Sequence, residues 1–442
     1  MTNYNDYKHK IITAKEAVGL VKDGDEIVTG LGASEGRAFL EELHTIADEV
    51  KNVRACNCLP MTDFEFFQPQ YKDKFSVDGW FYTPVIRKMH KEGNASFIPN
   101  NLHRAATDRL LYVKPNIFVN VCSSVDKHGY VSLSTGNTYE RAMLDAADIS
   151  ILEINPNFPR TFGDLQVHVS EVDYFIEADY PVPSIPDVPS TDTEIAIGQI
   201  IADLIHDGDT IQLGIGGIPN AVAGFLYEKK DLGVHTEMLT SEMARLAQAG
   251  IITGKKKNYN TGKMTATFVM GDQNLYDFVD DNTAVQIMRG SYTNDPYVIM
   301  RNDNMVSINT AIEVDVTGQV SSESIGSMQI SGTGGQADTA RGAQKAKNGR
   351  SIIALRSTAM VRNEKGVKVP TSTIVPILKP GAIVSLQRQD VDMVVTEYGV
   401  ASLRGTSVEE RVKRLTAIAH PDFRDDIVRE ALERGIVGRI SR

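Results

Sequence analysis

Three short segments in the second half of this 442-residue chain combine residue types that can do chemistry. Two are glycine-rich: Gly214-Ile215-Gly216-Gly217-Ile218-Pro219-Asn220 and Ser331-Gly332-Thr333-Gly334-Gly335-Gln336. Glycines between a strand and a helix let a ligand approach the backbone and aim free N–H groups at negative charge. No Gly-Lys-Ser/Thr follows either loop, and the first reads Gly-x-Gly-Gly-x-Pro, so neither is a nucleotide fingerprint. Between them, Gly233-Val234-His235-Thr236-Glu237-Met238 is a short apolar stretch that ends in a carboxylate. Two further glutamates, Glu242 and Glu323, stand near the loops. A carboxylate beside backbone donors suits nucleophilic attack on an activated carbonyl. On residue type alone a glutamate at a strand end is more often solvated than catalytic, and all three stay open.

The elements that must position these segments are duplicated. DGDEIVTGLG (23–32) and DGDTIQLGIG (207–216) share six of ten positions. Each follows an apolar helical face, Ala17, Leu20 and Val21 in one case and Ile201, Leu204 and Ile205 in the other. Asp-Gly-Asp makes a turn, and a short buried strand ending in glycine follows. Two similar α/β halves are therefore expected, 1–186 and 187–442, divided by the proline-rich YPVPSIPDVPSTD (180–192). Buried strands are expected at 117–121, 149–154, 352–355, 383–386 and 393–395 in a largely parallel sheet. Thr406 and Ser407, with Glu409 and Glu410 three residues on, predict a capped helix that His420-Pro421 ends.

Composition excludes several classes. A net charge of −11 argues against a nucleic-acid surface, and Lys255-Lys256-Lys257 is expected to be simply solvated. No stretch has the length of a membrane span, and the N-terminus lacks the apolar core of a signal peptide. Cys56, Cys58 and Cys122 are sparse and odd in number, which fits reduced structural thiols in a cytoplasmic protein. Cys56-x-Cys58 has no partner pair, and no metal site is expected.

Taken together and in order, the motifs resemble the family I coenzyme A transferases, in their acetyl-CoA hydrolase/transferase branch. The resemblance runs through IPNNLH (98–103), DKHGY (126–130), EINPNFPRTFGD (153–164), GIGGIPNAV (214–222), HTEM (235–238), TNDPYVI (293–299), GQVSSESIG (318–326), SGTGGQAD (331–338), TEYGVASLRG (396–405) and HPDFR (420–424). It implies two α/β domains of similar topology with the active site between them. It implies Glu237 as the catalytic glutamate, Gly214, Ile215, Gly216, Gly217 and Ile218 as a CoA-binding loop, and Ser331, Gly334 and Gly335 in a second one. Asn294 and Glu397 match polar positions of the family site. Three departures touch substrate identity: Thr240-Ser241-Glu242 where Asp-Gly is common, Arg356 where proline is usual, and Thr339 where an aromatic often follows the Asp.

The implied reaction moves CoA from an acetyl-, butyryl- or 4-hydroxybutyryl-type thioester to a carboxylate such as acetate, through a glutamyl-CoA thioester. It needs no permanent cofactor and no metal; coenzyme A is the substrate. A hydrolase in which water intercepts the thioester, a transferase acting on succinate or itaconate through Arg356, and a non-catalytic ligand-binding module are the alternatives. The partners implied are acyl-CoA, small carboxylates and further copies of the chain. His235 is expected to shape the site and not to act as a base.

Overall fold

Four of the five apolar runs expected as buried strands, at 117–121, 149–154, 352–355 and 393–395, fall in two large sheets. The computed structural model describes residues 6–186, 188–362 and 365–440. The first sheet is built from β1 (Glu26–Thr29), β2 (Val53–Asn57), β3 (Phe75–Gly79), β4 (Ala95–Phe97), β5 (Ile117–Cys122), β6 (Ile149–Ile154) and β7 (Tyr174–Glu177). Its order is β4-β3-β2-β1-β5-β6-β7, and all neighbours are parallel. The second contains β8 (Thr210–Leu213), β9 (Gly233–His235), β10 (Met264–Ala266), β11 (Val285–Ile287), β12 (Met305–Thr310), β13 (Arg350–Ala354), β14 (Met393–Thr396) and β15 (Gly399–Ser402). Its order is β11-β10-β9-β8-β12-β13-β14-β15, parallel except for the β14–β15 pair. The two orders coincide strand for strand, with β15 as an added edge.

The duplication extends to single hydrogen bonds. In the first turn Gly24 takes φ 78°, Asp25 accepts from the Lys22 N–H at 2.8 Å, and Asp23 accepts from the Lys51 N–H at 3.0 Å. In the second, Gly208 takes φ 81°, Asp209 accepts from His206 N–H at 2.7 Å, and Asp207 accepts from Lys230 N–H at 2.8 Å. In each copy one aspartate closes the turn and the other ties it to the chain entering the next strand. Only glycine takes the central positive φ without strain.

Alternation along the strands sends neighbouring side chains to different cores. Val28, Phe118 and Leu152 join Ile211, Val234 and Ile308 in one core that runs through both halves. Ile27, Ile117 and Ile151 fill the outer face of the first sheet, while Ile353 and Val394 fill that of the second. The connector is extended and pinned to the second half: Ile185 N–H donates to Gly271 O at 3.0 Å, and Tyr276 Oη donates to Pro183 O at 2.7 Å.

Three expectations change. Residues 383–386 form no strand; Ile383 and Val384 are exposed, and only Leu386 makes a bridge, to Val320. The apolar run there caps a small sheet and has no strand pair to bury it. The first repeat's helix stops at Val18, so Leu20 and Val21 lie in the turn beyond it. Lys257 is not solvated: its ammonium is buried beneath β9 and donates to Val234 O and Lys263 O, both at 2.7 Å. Ser407 does cap the helix Val408–Ile418, accepting from Glu410 N–H at 3.3 Å. Among the described residues no helix is long and apolar enough to cross a membrane.

Candidate active site

Because β8 and β9 are parallel, their C-terminal ends share one edge of the sheet, where binding sites of open α/β sheets form. The first glycine loop leaves β8, and Glu237 stands two residues beyond β9. The second glycine loop descends onto the same edge before entering the helix Gln336–Lys345. Asn294 Nδ2 donates to Glu237 Oε2 at 3.0 Å, and the Gly335 N–H donates to the same carboxylate. A Cβ on Gly335 would stand 2.0 Å from Glu237 Oε2 and 2.2 Å from Asn294 Nδ2, so only glycine permits this approach. Burial pushes the Glu237 carboxyl up to about 7, helped by the charge of Asp338 and opposed by the Asn294 and Gly335 hydrogen bonds.

Glu237 opens into a cavity of about 270 Å³ walled by both halves. The first half contributes Leu31, Cys58, Leu59, Trp80, Phe81 and Leu102, and the second contributes Gly214, Ile215, Met238, Phe268, Met270 and Gly335. Leu59 holds φ 56°, a strained value for a branched side chain, with its N–H donated to Phe81 O at 3.2 Å. Gln212 and Asn309 line the floor; Gln212 Oε1 accepts from Ser307 Oγ at 3.0 Å and Ile308 N–H at 3.2 Å. Among the described residues no arginine, lysine or histidine lines the cavity, and the titratable groups there are Glu237 and Cys58. A larger cleft of about 420 Å³ lies elsewhere, beside the connector, but Asp179, Asp277 and Asp280 make it repellent to carboxylates and phosphates.

Gly214, Ile215, Ser331, Gly334 and Gly335 line the cavity with Glu237. Gly216 faces an adjoining cavity of about 300 Å³, which shares Ile215 and Met270 with the first. Glu242 lies in that second cavity, only partly exposed, and is ion-paired to Arg245, which also pairs with Asp272. Gly217 and Ile218 do not line the Glu237 cavity: Gly217 abuts the Glu194 carboxyl and Ile218 is in the core. Glu397 also lies outside it, accepting from Ser357 Oγ at 2.5 Å and Ser357 N–H at 2.9 Å at the end of β14. β14 is four strands from β9, roughly 19 Å at ordinary strand spacing. Arg356 is exposed and does not line the cavity. Glu323 is buried behind the second loop, in a different cleft with Asn100 and Arg341, where its backbone carbonyl accepts from Ile330 N–H at 2.7 Å.

His235 is fully buried and neutral. Its Nε2–H donates to Thr293 O at 2.7 Å, and burial, with Lys257 nearby, pushes the imidazole down to about 3. The three cysteines are free and buried, and burial raises all three thiols. Among the described residues no group of three or more His, Cys, Asp or Glu could hold a metal ion. Sequence reasoning missed the first-half wall, Gln212 and Asn309. Gln212 carried a signal, as the one amide in the otherwise apolar centre of a buried strand.

Two α/β domains of one topology, closing over a carboxylate held by an asparagine and a glycine N–H, define a class of acyl-handling protein with its centre at a domain interface. The chain belongs to the acetyl-CoA hydrolase/transferase family: residues 1–186 match its N-terminal domain and residues 271–431 its C-terminal domain. It is 40% identical to the 4-hydroxybutyrate coenzyme A transferase of Clostridium kluyveri, over 97% of this chain and 98% of that one. It is 35% identical to the butyryl-CoA:acetate CoA-transferase of Anaerostipes caccae, over 98% of each. The crystal structure of 4-hydroxybutyrate CoA-transferase from Porphyromonas gingivalis superposes with a TM-score of 0.82 at 34% identity, covering 98% of this chain and 100% of that one.

Proposed function

We propose that this protein is an acyl-CoA:carboxylate CoA-transferase for short, uncharged acyl groups, working through a glutamyl-CoA thioester on Glu237. The observation that carries the reading is the Glu237 carboxylate, held by Asn294 and Gly335 at the head of an apolar cavity shared by both halves. One carboxylate oxygen attacks the thioester carbonyl and CoA leaves as thiolate, which gives an acyl–glutamyl anhydride. The thiolate then attacks the glutamyl carbonyl, forming the Glu237–CoA thioester and releasing the free carboxylate. A second carboxylate reverses both steps. Asn294 Nδ2 and the Gly335 N–H stay on the other Glu237 oxygen, where oxyanion charge develops; one such donor is worth roughly 3–4 kcal/mol.

Transfer is favoured over hydrolysis because Glu237 is the cavity's own base. Once it carries the acyl group or CoA, no histidine, lysine, aspartate or second glutamate among the described residues lines the cavity to activate water. A monocarboxylate is favoured because among the described residues no lining cation would neutralise a second charge, and Glu237 would repel it. Members of the family named for 4-hydroxybutyrate and butyrate support the same chain length.

Incubation with butyryl-CoA and no acceptor tests the reading. CoA mass should appear on the peptide containing Glu237, and borohydride should reduce that thioester and inactivate the protein. Glu237→Ala should abolish labelling and transfer. CoA mass on the Glu323 peptide, or transfer surviving in Glu237→Ala, would refute it.

A further inference from the structure

The loop that carries Gly335 is held against Glu237 by the other half of the molecule. Leu102 N–H donates to Gly334 O at 3.3 Å, and Tyr82 N–H donates to Ser331 O at 3.2 Å. A Cβ on Gly332 would stand 2.2 Å from Trp80 O, so the two backbones are in direct contact. Beyond the loop, in the first turn of the helix Gln336–Lys345, the Asp338 side chain is 1% exposed. Among the described residues His103 supplies both hydrogen-bond donors to it: Nδ1 lies 2.8 Å from Oδ1, and the backbone N–H lies 3.2 Å from Oδ2.

We propose that His103, acting through Asp338, is a positioning residue that fixes the Gly334-Gly335 turn on Glu237 and so couples closure of the two halves to the reactivity of that carboxylate. This rests on the reading of Glu237 as nucleophile. Asp338 is three residues from Gly335 and shares its helical turn, so a lost His103 contact is passed to the donor that faces Glu237. A displacement near 1 Å at a reacting group costs on the order of 100-fold in rate. There is also a charge effect. The Asp338 carboxylate opposes ionisation of Glu237, and the His103 hydrogen bonds favour the charged form of Asp338. The other charged groups in reach are Arg341 beside Asp338, and Asp295 and Arg104 beside His103.

The test uses the full chain and begins with CoA-adduct mass on the Glu237 peptide of the wild type; its absence sinks the nucleophile reading, and this proposal with it. With the adduct present, His103→Ala should lose about 10-fold or more in kcat while KM for butyryl-CoA moves less than about threefold. His103→Asn, whose amide N–H stands near the place of Nδ1–H, should recover most of that loss. Asp338→Asn removes a negative charge beside Glu237, so the acidic limb of kcat/KM should move to lower pH, by about half a unit or more. If His103→Ala does not fold, the other two variants decide the matter. Wild-type kcat in His103→Ala, no recovery in His103→Asn, or an unmoved acidic limb in Asp338→Asn each overturns the proposal while leaving the Glu237 adduct intact.

Discussion

Substituting Gly335 by alanine isolates the contact on which the proposed chemistry depends. The backbone there, φ −102° and ψ 12°, is open to any L-residue, so the change strains no turn. The methyl group, however, would sit 2.0 Å from Glu237 Oε2 and 2.2 Å from Asn294 Nδ2. A carbon needs roughly 3.5 Å, so the partners must part by more than about 1 Å in a buried, close-packed place. That removes the N–H donor and misplaces the nucleophile together. Loss of one such donor alone is worth about 100-fold or more, and a comparable factor attends a 1 Å error in position. Gly335→Ala should therefore lower kcat by at least about 100-fold and suppress the CoA adduct. Gly224→Ala is the control: its Cβ meets nothing within 4 Å, and it should leave kcat unchanged and the helix no less stable. Steady-state rates with butyryl-CoA and acetate, adduct mass and thermal melts read the outcome. A Gly335→Ala protein with a kcat within threefold of wild type would refute the assigned contact.

Three further outcomes are expected. In competition assays butyrate should be preferred to succinate as acceptor, and Arg356→Ala should not alter that ratio; succinate preference lost in Arg356→Ala would overturn the monocarboxylate assignment. Glu237 is raised from 4.5 to about 7, so the fold favours its protonated form and gives up stability as pH rises through about 7. Glu237→Gln should thus melt higher than wild type at pH 8.5, by roughly 1–3 kcal/mol, and nearly equally at pH 4.5; a pH-independent difference would contradict the burial argument. Cys58→Ser and His235→Gln should keep most transfer activity, since the thiol is buried and un-ionised and the imidazole cannot take up a proton near neutrality; abolished turnover in a folded variant of either would require another mechanism.

What the sequence disclosed of the fold was local and repeated. Asp23-Gly24-Asp25 and Asp207-Gly208-Asp209 announced a common turn because that geometry needs a glycine between two short acceptors, and the bonds found are the same in both. Runs such as Ile149–Ile154 read as strands because burial on both faces leaves mainly apolar positions, and the two polar residues there, Ser150 and Glu153, are buried and hydrogen-bonded. The run at 383–386 failed by the same rule. Apolar composition is necessary for a buried strand, but a neighbouring strand must also be free to pair with it, and composition does not record that.

The site was legible only where its chemistry restricts residue type. A glycine whose Cβ would collide with a carboxylate, and a glutamate that two donors must hold, are positions few residues can fill. The apolar wall has no such restriction. Leu31, Leu59 and Phe81 are ordinary core residues by type, and they line a cavity only because the ends of β1, β2 and β3 face the corresponding edge of the second sheet. Gly217, Ile218 and Glu397 show the converse. Each belongs to a motif, yet none of the three lines the Glu237 cavity, although Pro219 in the same helical turn as Gly217 does. His103 belongs to a first-half motif, and its partner Asp338 lies 235 residues away. Duplication explains this division. Two copies of one sheet keep the turns that build each copy, while the Glu237 cavity lies on the face where they meet. Leu31 and Ile215 stand at matching places of the repeat and both line that face, whereas His103 and Asp338 come from different halves and meet only where the halves touch.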